Sequence, residues 1–305
     1  MAATGKTVAV LQATNYNCEI DGTRIFLLQN VSNFVYMRCR PFLNVELSNM
    51  SDSLTDIEPS VYFVFDSPGA DAFVHWMFEA FLFYPLFNKI RRTYPRVKVI
   101  TFNRKKYILN SFRLMGIEVE IVDRGELSKN LPNIVFFPPI ICFNDNNTDT
   151  DLMRRMIDNF ANDISDIIRP VESLHTRVLF LPRNSVDNNA ANDHPRPGQD
   201  DIAKGVIESG GAVLNTYQIN NMKIQLAMIS SADIIILDYG SSYFVNCMFM
   251  KGKRIIMLDH LLARDGQVGG FKACKVMDDI IRASNEVIMI KQNQITYSDI
   301  ARHLE

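Results

Sequence analysis

Short apolar runs of β-forming residues alternate with amphipathic stretches along most of this chain, and that alternation leaves few folds open. In the first half the runs are 60–65 (SVYFVF), 97–102, 118–122 and 134–137; in the second they are 177–181 (RVLFL), 212–214, 233–237 (DIIIL) and 254–258 (RIIML). Such continuous apolar runs read as strands buried on both faces. The stretches between them read as helices. In 72–94, Phe73, Met77, Ala80, Phe81 and Tyr84 step by three and four residues, and an interruption is expected at Pro85. The others are 105–115, closed by Gly116, then 200–209, ended by Gly210 and Gly211, 223–230, 243–250 and a terminal helix over 298–304. Residues before Ser60 read as strand-rich and irregular.

Strand–helix–strand units of this kind build parallel sheets, so the expected class is α/β. A length of 305 residues accommodates two such domains. The polar run 144–151 (NDNNTDTD), a helix over 151–168 and Pro170 mark the linker. The expected domains are therefore 1–170 and 171–305.

Charge narrows the partners. With 32 basic against 34 acidic side chains the net charge is −2, which argues against a protein built mainly to bind nucleic acid. A local basic cleft for a phosphate is compatible with it. The five cysteines, Cys18, Cys39, Cys142, Cys247 and Cys274, form no CxxC pair and read as thiols of a reducing compartment. No apolar run approaches the ~18 residues of a membrane span, and the apolar run over 7–13 is too short for a signal peptide. A soluble protein of the cytoplasm is expected, in the host cytoplasm if the source is viral. Walker A, GxGxxG, GxSxG and HEXXH are all absent from the sequence.

Three segments carry candidate chemistry. In 231–258 a buried strand ends at Asp238, Tyr239-Gly240-Ser241-Ser242 make a tight turn, and a helix follows. Strand carboxyl ends are where open parallel sheets bind ligands. Gly240 lets the backbone approach a ligand, and Ser241 or Ser242 can cap a helix start suited to phosphate. The bland alternative is a plain strand–cap–helix connection. In 179–201 a second strand ends in a polar loop with Arg183, Asn184, His194 and Arg196. Arginine forks suit phosphate, although arginines of a solvated loop would look the same. In 66–80 Asp71, His75 and Glu79 fall at i, i+4 and i+8 on one helix, beside the only tryptophan, Trp76. A lone histidine there would be ordinary; three ionisable groups in one stripe are less so. Asp149-Thr150-Asp151 matches Asp-x-Asp but lies in the linker, where a solvated loop is expected rather than a metal site.

In their order along the chain these segments resemble glycosyltransferase family sixty-one, which includes plant xylan xylosyl- and arabinosyltransferases and animal O-linked N-acetylglucosaminyltransferases. The likeness covers roughly residues 60–260. It rests on Ala72-Phe73-Val74-His75-Trp76-Met77-Phe78-Glu79 for a His-centred helix and Leu179-Phe180-Leu181-Pro182-Arg183 for a strand ending in arginine. Arg196 before Asp200 and Asp201, then Gln225, continue it. Ser231-Ala232-Asp233 and Asp238-Tyr239-Gly240-Ser241-Ser242-Tyr243-Phe244-Val245-Asn246 resemble the family's final strand, turn and "xxN" helix. The family's turn reads His-Gly-Ala-Gly, so its histidine is lost here and Asp238 lies near that place.

The resemblance implies two Rossmann-like domains facing a cleft (the GT-B architecture), a UDP-sugar donor such as UDP-xylose, a glycan acceptor hydroxyl, and inversion at the anomeric carbon. Donor-binding candidates are Arg183, Asn184, Arg196, Asp238, Gly240, Ser241, Ser242 and Asn246. The base is sought among Asp71, His75 and Glu79, and a carboxylate at the helix edge favours Asp71. With arginines and a helix dipole on the diphosphate, no cofactor is required, and Mg²⁺ or Mn²⁺ is left open. The altered turn keeps a second expectation in play, a non-catalytic nucleotide-sugar-binding or degenerate transferase-like protein.

Overall fold

In the computed structural model the described residues are 8–11, 18–20, 23–29, 31–38, 43–50, 60–65, 73–101, 103–121, 133–137, 150–166, 168–183, 196–216, 221–260 and 272–305. The chain divides into two compact units, Met1–Phe160 and Ala161–Glu305. Each contains a sheet of parallel strands joined through helices, as the alternating pattern requires.

The first unit opens with strands β1 (Val8–Leu11), β2 (Cys18–Ile20), β3 (Thr23–Gln29), β4 (Val31–Arg38) and β5 (Leu43–Met50). Strands β1, β5 and β4 make a separate antiparallel sheet in that order. The main sheet adds β6 (Ser60–Val64), β7 (Lys98–Thr101), β8 (Val119–Ile121) and β9 (Asn133–Phe137), in the order β2-β3-β9-β6-β7-β8. Its β9, β6, β7 and β8 are mutually parallel, while β3 pairs antiparallel with β9 and β2 antiparallel with β3.

The expected helix after β6 changes type along its length. A short α1 (Phe73–His75) passes into a π turn, Trp76–Ala80, a 3₁₀ turn, Phe81–Phe83, and then α2 (Tyr84–Thr93). Pro85 sits in the first turn of α2, where its missing N–H costs nothing, and the irregular turns fall just upstream of it. The crossover helix α3 (Lys106–Leu114) is followed by Gly116 at φ 62°, the left-handed conformation that the glycine there predicts. Aromatic rings fill the core. Trp76 stacks on Phe81 with centroids 5.8 Å apart, and Phe65 meets Phe112 edge-on at 5.4 Å. Such pairs contribute ~0.5–1.5 kcal/mol beyond their burial. Trp76 Nε1 donates to Ser111 Oγ at 3.2 Å, so the indole is buried without an orphaned donor. Helix α4 (Thr150–Asp163) begins one residue earlier than expected and includes Thr150 and Asp151 of the Asp-x-Asp match.

The second unit is a regular doubly wound sheet. Its elements run β10 (Thr176–Leu181), α5 (Gln199–Glu208), β11 (Ala212–Val213), α6 (Met222–Ser231), β12 (Ala232–Asp238), α7 (Ser241–Cys247), β13 (Arg254–His260), α8 (Lys272–Ser284), β14 (Glu286–Gln292) and α9 (Tyr297–Ala301). All five strands are parallel, in the order β11-β10-β12-β13-β14. Three expectations are corrected. Helix α8 and strand β14 were not expected, although 287–290 (VIMI) is a continuous apolar run like those of the central strands; β14 is a half-exposed edge strand. Helix α7 starts at Ser241 rather than Tyr243. The terminal helix is α9, shorter than 298–304 and one residue earlier.

One face of this sheet packs through Phe180, Ile236 and Ile256 onto Ile202 and Val206 of α5 and Ile300 of α9, all fully buried. Each such side chain contributes roughly 1.5–3 kcal/mol relative to exposure. Gly205 of α5 is what lets α9 lie this close. A Cβ built there would be 2.1 Å from Tyr297 Cγ.

Candidate functional site

Strand order decides where the second unit can hold a ligand. After β10 the chain turns outward to the edge strand β11, then returns across β10 to β12. The connections leaving the carboxyl ends of β10 and β12 therefore diverge, opening the crevice where doubly wound sheets bind ligands. Arg183 follows β10, Arg196 and Gln199 lead into α5, and Asp238, Tyr239 and Gly240 end β12.

Pleat parity aims the polar side chains. Ile234 and Ile236 of β12 face α5, and so does Asp238, two residues on. Ile256 and Leu258 of β13 share that face, which directs His260 to it as well. Asp238 is only 1% exposed and His260 3%. Burial this deep requires partners. Asp238 Oδ2 accepts from Gln199 Nε2 at 2.6 Å and lies 3.7 Å from Arg196 Nε, an ion contact longer than a hydrogen bond. His260 Nε2 is 3.3 Å from Asp238 Oδ1, near enough for an ion-pair distance yet poorly aligned. Asp238 Oδ1 and both imidazole nitrogens of His260 have no hydrogen-bond partner among the described residues.

Gly240 shapes the turn. Its φ of 115° and ψ of −143° fall where a side chain is strained, so glycine is needed for the chain to leave β12 in this direction. A Cβ built on it would lie 4.0 Å from Arg183 Nη1, which puts the Arg183 guanidinium over the glycine. The expected serine cap is corrected: Gly240 itself is the N-cap of α7, and no side chain caps it. Ser241 is exposed, and Ser242 Oγ instead accepts from Asn246 Nδ2 at 3.1 Å. Helix α7 is anchored from its far side, where Tyr243 Oη donates to Asp278 Oδ1 of α8 at 2.8 Å. Burial, reinforced by Asp278, holds the Tyr243 phenol well above its ordinary pKa, so it stays a donor. Among the acids at the start of α5, Asp201 faces α9, accepting from Tyr297 N at 2.8 Å, and Asp200 is exposed.

The structure thus brings Arg183, Arg196, Asp238 and Gly240 to one crevice and adds two residues that the sequence reading missed, Gln199 and His260. A signal for His260 existed: it continues the parity of Ile256 and Leu258 two residues past the expected end of that strand. Gln199 gave none, because its role depends on the packing of α5 against β12. Asn184 and His194 lie outside the described residues.

In the first unit, Asp71 also lies outside the described residues. His75 and Glu79 are one helical turn apart, with Nδ1 and Oε1 separated by 2.6 Å. Glu79 is 2% exposed and belongs to the π turn, a distortion frequent at functional sites. A carboxylate can only accept, so when Glu79 is ionised Nδ1 of His75 donates, and in the neutral ring Nε2 becomes the basic nitrogen.

Among the described residues no group of three or more His, Cys, Asp or Glu side chains is placed to hold a metal ion, and no helix is long and apolar enough to cross a membrane. No protein-family model matches the chain, and no curated protein matches it.

Proposed function

We propose that this chain is an inverting glycosyltransferase of GT-B architecture, whose second unit holds a UDP-sugar and whose first unit supplies the base that activates a glycan hydroxyl. The observation that carries the reading is the meeting of Arg183, Arg196 and Gly240 at the switch point of a five-stranded parallel sheet. Two guanidinium groups beside a side-chain-free turn suit a diphosphate.

The reaction asks for two aids. A base takes the acceptor proton as the acceptor oxygen attacks the anomeric carbon. Positive charge receives the electrons of the breaking C–O bond as the nucleoside diphosphate leaves. Arg183 and Arg196 serve the second need in this reading. For the first, His75 oriented by Glu79 has the base-and-orienter geometry of acid–base sites, and Asp71 is the rival. With cationic side chains on the leaving group the reaction needs no divalent metal.

Thermal unfolding of the full chain with UDP, GDP and CMP tests donor binding. A ligand at a hundredfold excess over its Kd adds about 2.7 kcal/mol of stability. One nucleotide should raise Tm, and Arg183→Ala or Arg196→Ala should abolish the rise. His75→Gln should then stop sugar transfer, including in EDTA-treated enzyme, without loss of nucleotide binding. The absence of a shift with every nucleotide would refute the reading.

A second reading draws on the Arg196–Asp238 contact, which already compensates one guanidinium where the family turn has histidine. It makes the protein a non-catalytic nucleotide-sugar-binding relative. Tight UDP-sugar binding without turnover or hydrolysis across many acceptors would favour it.

A further inference from the structure

The donor-site reading accounts for the arginines and leaves the most deeply buried polar groups of the crevice without a task. Asp238 Oδ2 is occupied by the Gln199 amide, whereas among the described residues Oδ1 has no hydrogen bond and faces His260 Nε2, which has none there either, at 3.3 Å. Both side chains are 1% exposed, and leaving buried polar atoms unpaired is costly because nothing replaces the water they lost. A direct imidazole–carboxylate bond would remove most of that cost, yet the geometry holds the pair misaligned. The two atoms are complementary in a specific sense. A carboxylate oxygen wants a donor, and an imidazole N–H wants an acceptor. A hydroxyl is both at once.

Resting on the donor-site reading, we propose that Asp238 and His260 form a hydroxyl-binding subsite for the sugar ring attached to the phosphate held by Arg183 and Arg196. The ring hydroxyl donates to Asp238 Oδ1 and accepts from His260 Nε2–H. Two bonds of ~2.8 Å meeting near the tetrahedral angle span roughly 4.5 Å, so the pair opens by about 1 Å to admit the oxygen. Gln199 keeps Asp238 aimed by fixing its other oxygen, which makes Gln199 a positioning residue. The shared chemistry is a hydroxylated ring esterified to phosphate, carried either by the ribose of the nucleotide or by the sugar to be transferred.

Calorimetric titration of the full chain with pyrophosphate, UDP, 2′-deoxy-UDP, 3′-deoxy-UDP and glucose 1-phosphate tests this. UDP or glucose 1-phosphate should bind at least about tenfold more tightly than pyrophosphate. Loss of that margin in a deoxy-UDP assigns the hydroxyl to the ribose; a margin confined to glucose 1-phosphate assigns it to the transferred sugar. His260→Phe and Asp238→Asn should erase the margin while pyrophosphate still binds. Equal binding of all probes to the unmodified protein overturns the subsite and leaves the phosphate site standing, with no variant needed. Variants that weaken every probe equally, or a UDP complex with only water between Asp238 and His260, overturn it too. Failure of pyrophosphate and UDP alike removes the donor-site reading and the subsite with it.

Discussion

Gly198→Ala is the change for which the structure yields the sharpest magnitude. Gly198 is the N-cap of α5, at φ 93°, in the turn that delivers Gln199 to Asp238. Two costs add. The left-handed conformation costs a side-chain-bearing residue roughly 1–2 kcal/mol. The new Cβ would lie 1.9 Å from the carbonyl oxygen of Ile295, a residue fully buried in the core beneath α5 and α9. That overlap cannot be relieved by a side-chain rotation, because the obstacle is backbone. Overpacking of this kind costs typically 1–3 kcal/mol. The sum is roughly 2–5 kcal/mol, and at about 2–4 °C per kcal/mol it lowers Tm by on the order of 10 °C. Gly210→Ala is the internal control: φ is 81° there, but nothing lies within 4 Å of the added Cβ, so only the backbone term applies. Thermal unfolding followed by far-UV circular dichroism reads both variants side by side. Equal, small drops for the two would refute the close approach of Gly198 to Ile295 and, with it, the reason given for where α5 begins.

Three further outcomes are expected. Tyr243→Phe deletes the 2.8 Å bond to Asp278 while Arg282 Nε still holds the other carboxylate oxygen at 2.8 Å, so denaturant titration should show a loss of about 1–1.5 kcal/mol. Because burial raises the Tyr243 phenol, the folded state keeps that proton after the unfolded chain has lost it; stability present below ~pH 10 is lost as pH rises further, and the variant should show a shallower alkaline decline. The capping box of α9 makes the opposite prediction at acid pH. Hydrogen bonds from the backbone and side chain of Thr296 lower Asp299, so the stability it adds is present above ~pH 4 and fades as pH falls below that; Thr296→Ala should cost about 1 kcal/mol at neutral pH and flatten the acid slope. Ser111→Ala removes the acceptor of the buried Trp76 N–H, and urea unfolding followed by the fluorescence of this only tryptophan should report a loss of roughly 1–3 kcal/mol.

The sequence by itself determined the class of the fold and the centres of its sheets. The runs RVLFL, DIIIL and RIIML became β10, β12 and β13 because a strand covered on both faces has no polar positions to blur its signal. Glycines placed the helix end after α3 and the turn after β12 for a similar reason, since few other residues take those backbone angles. The edge strand β14 was legible as well, since 287–290 (VIMI) is an apolar run of the same length, but it was not among the expected strands.

Tertiary structure alone decided the rest. The order β11-β10-β12 creates the switch point, and no local pattern encodes which strands become neighbours. That order sets Arg183 and Arg196, far from Gly240 and Asp238 in sequence, around one crevice. The pairing of Asp238 with His260 follows from the parallel register of β12 and β13, in which Asp238 lies beside Leu258 and His260 two residues beyond. Gln199 reaches Asp238 because the core beneath α5 fixes where that helix starts. Residue types were legible from the letters; their convergence was set by burial and strand order, which act over the whole unit.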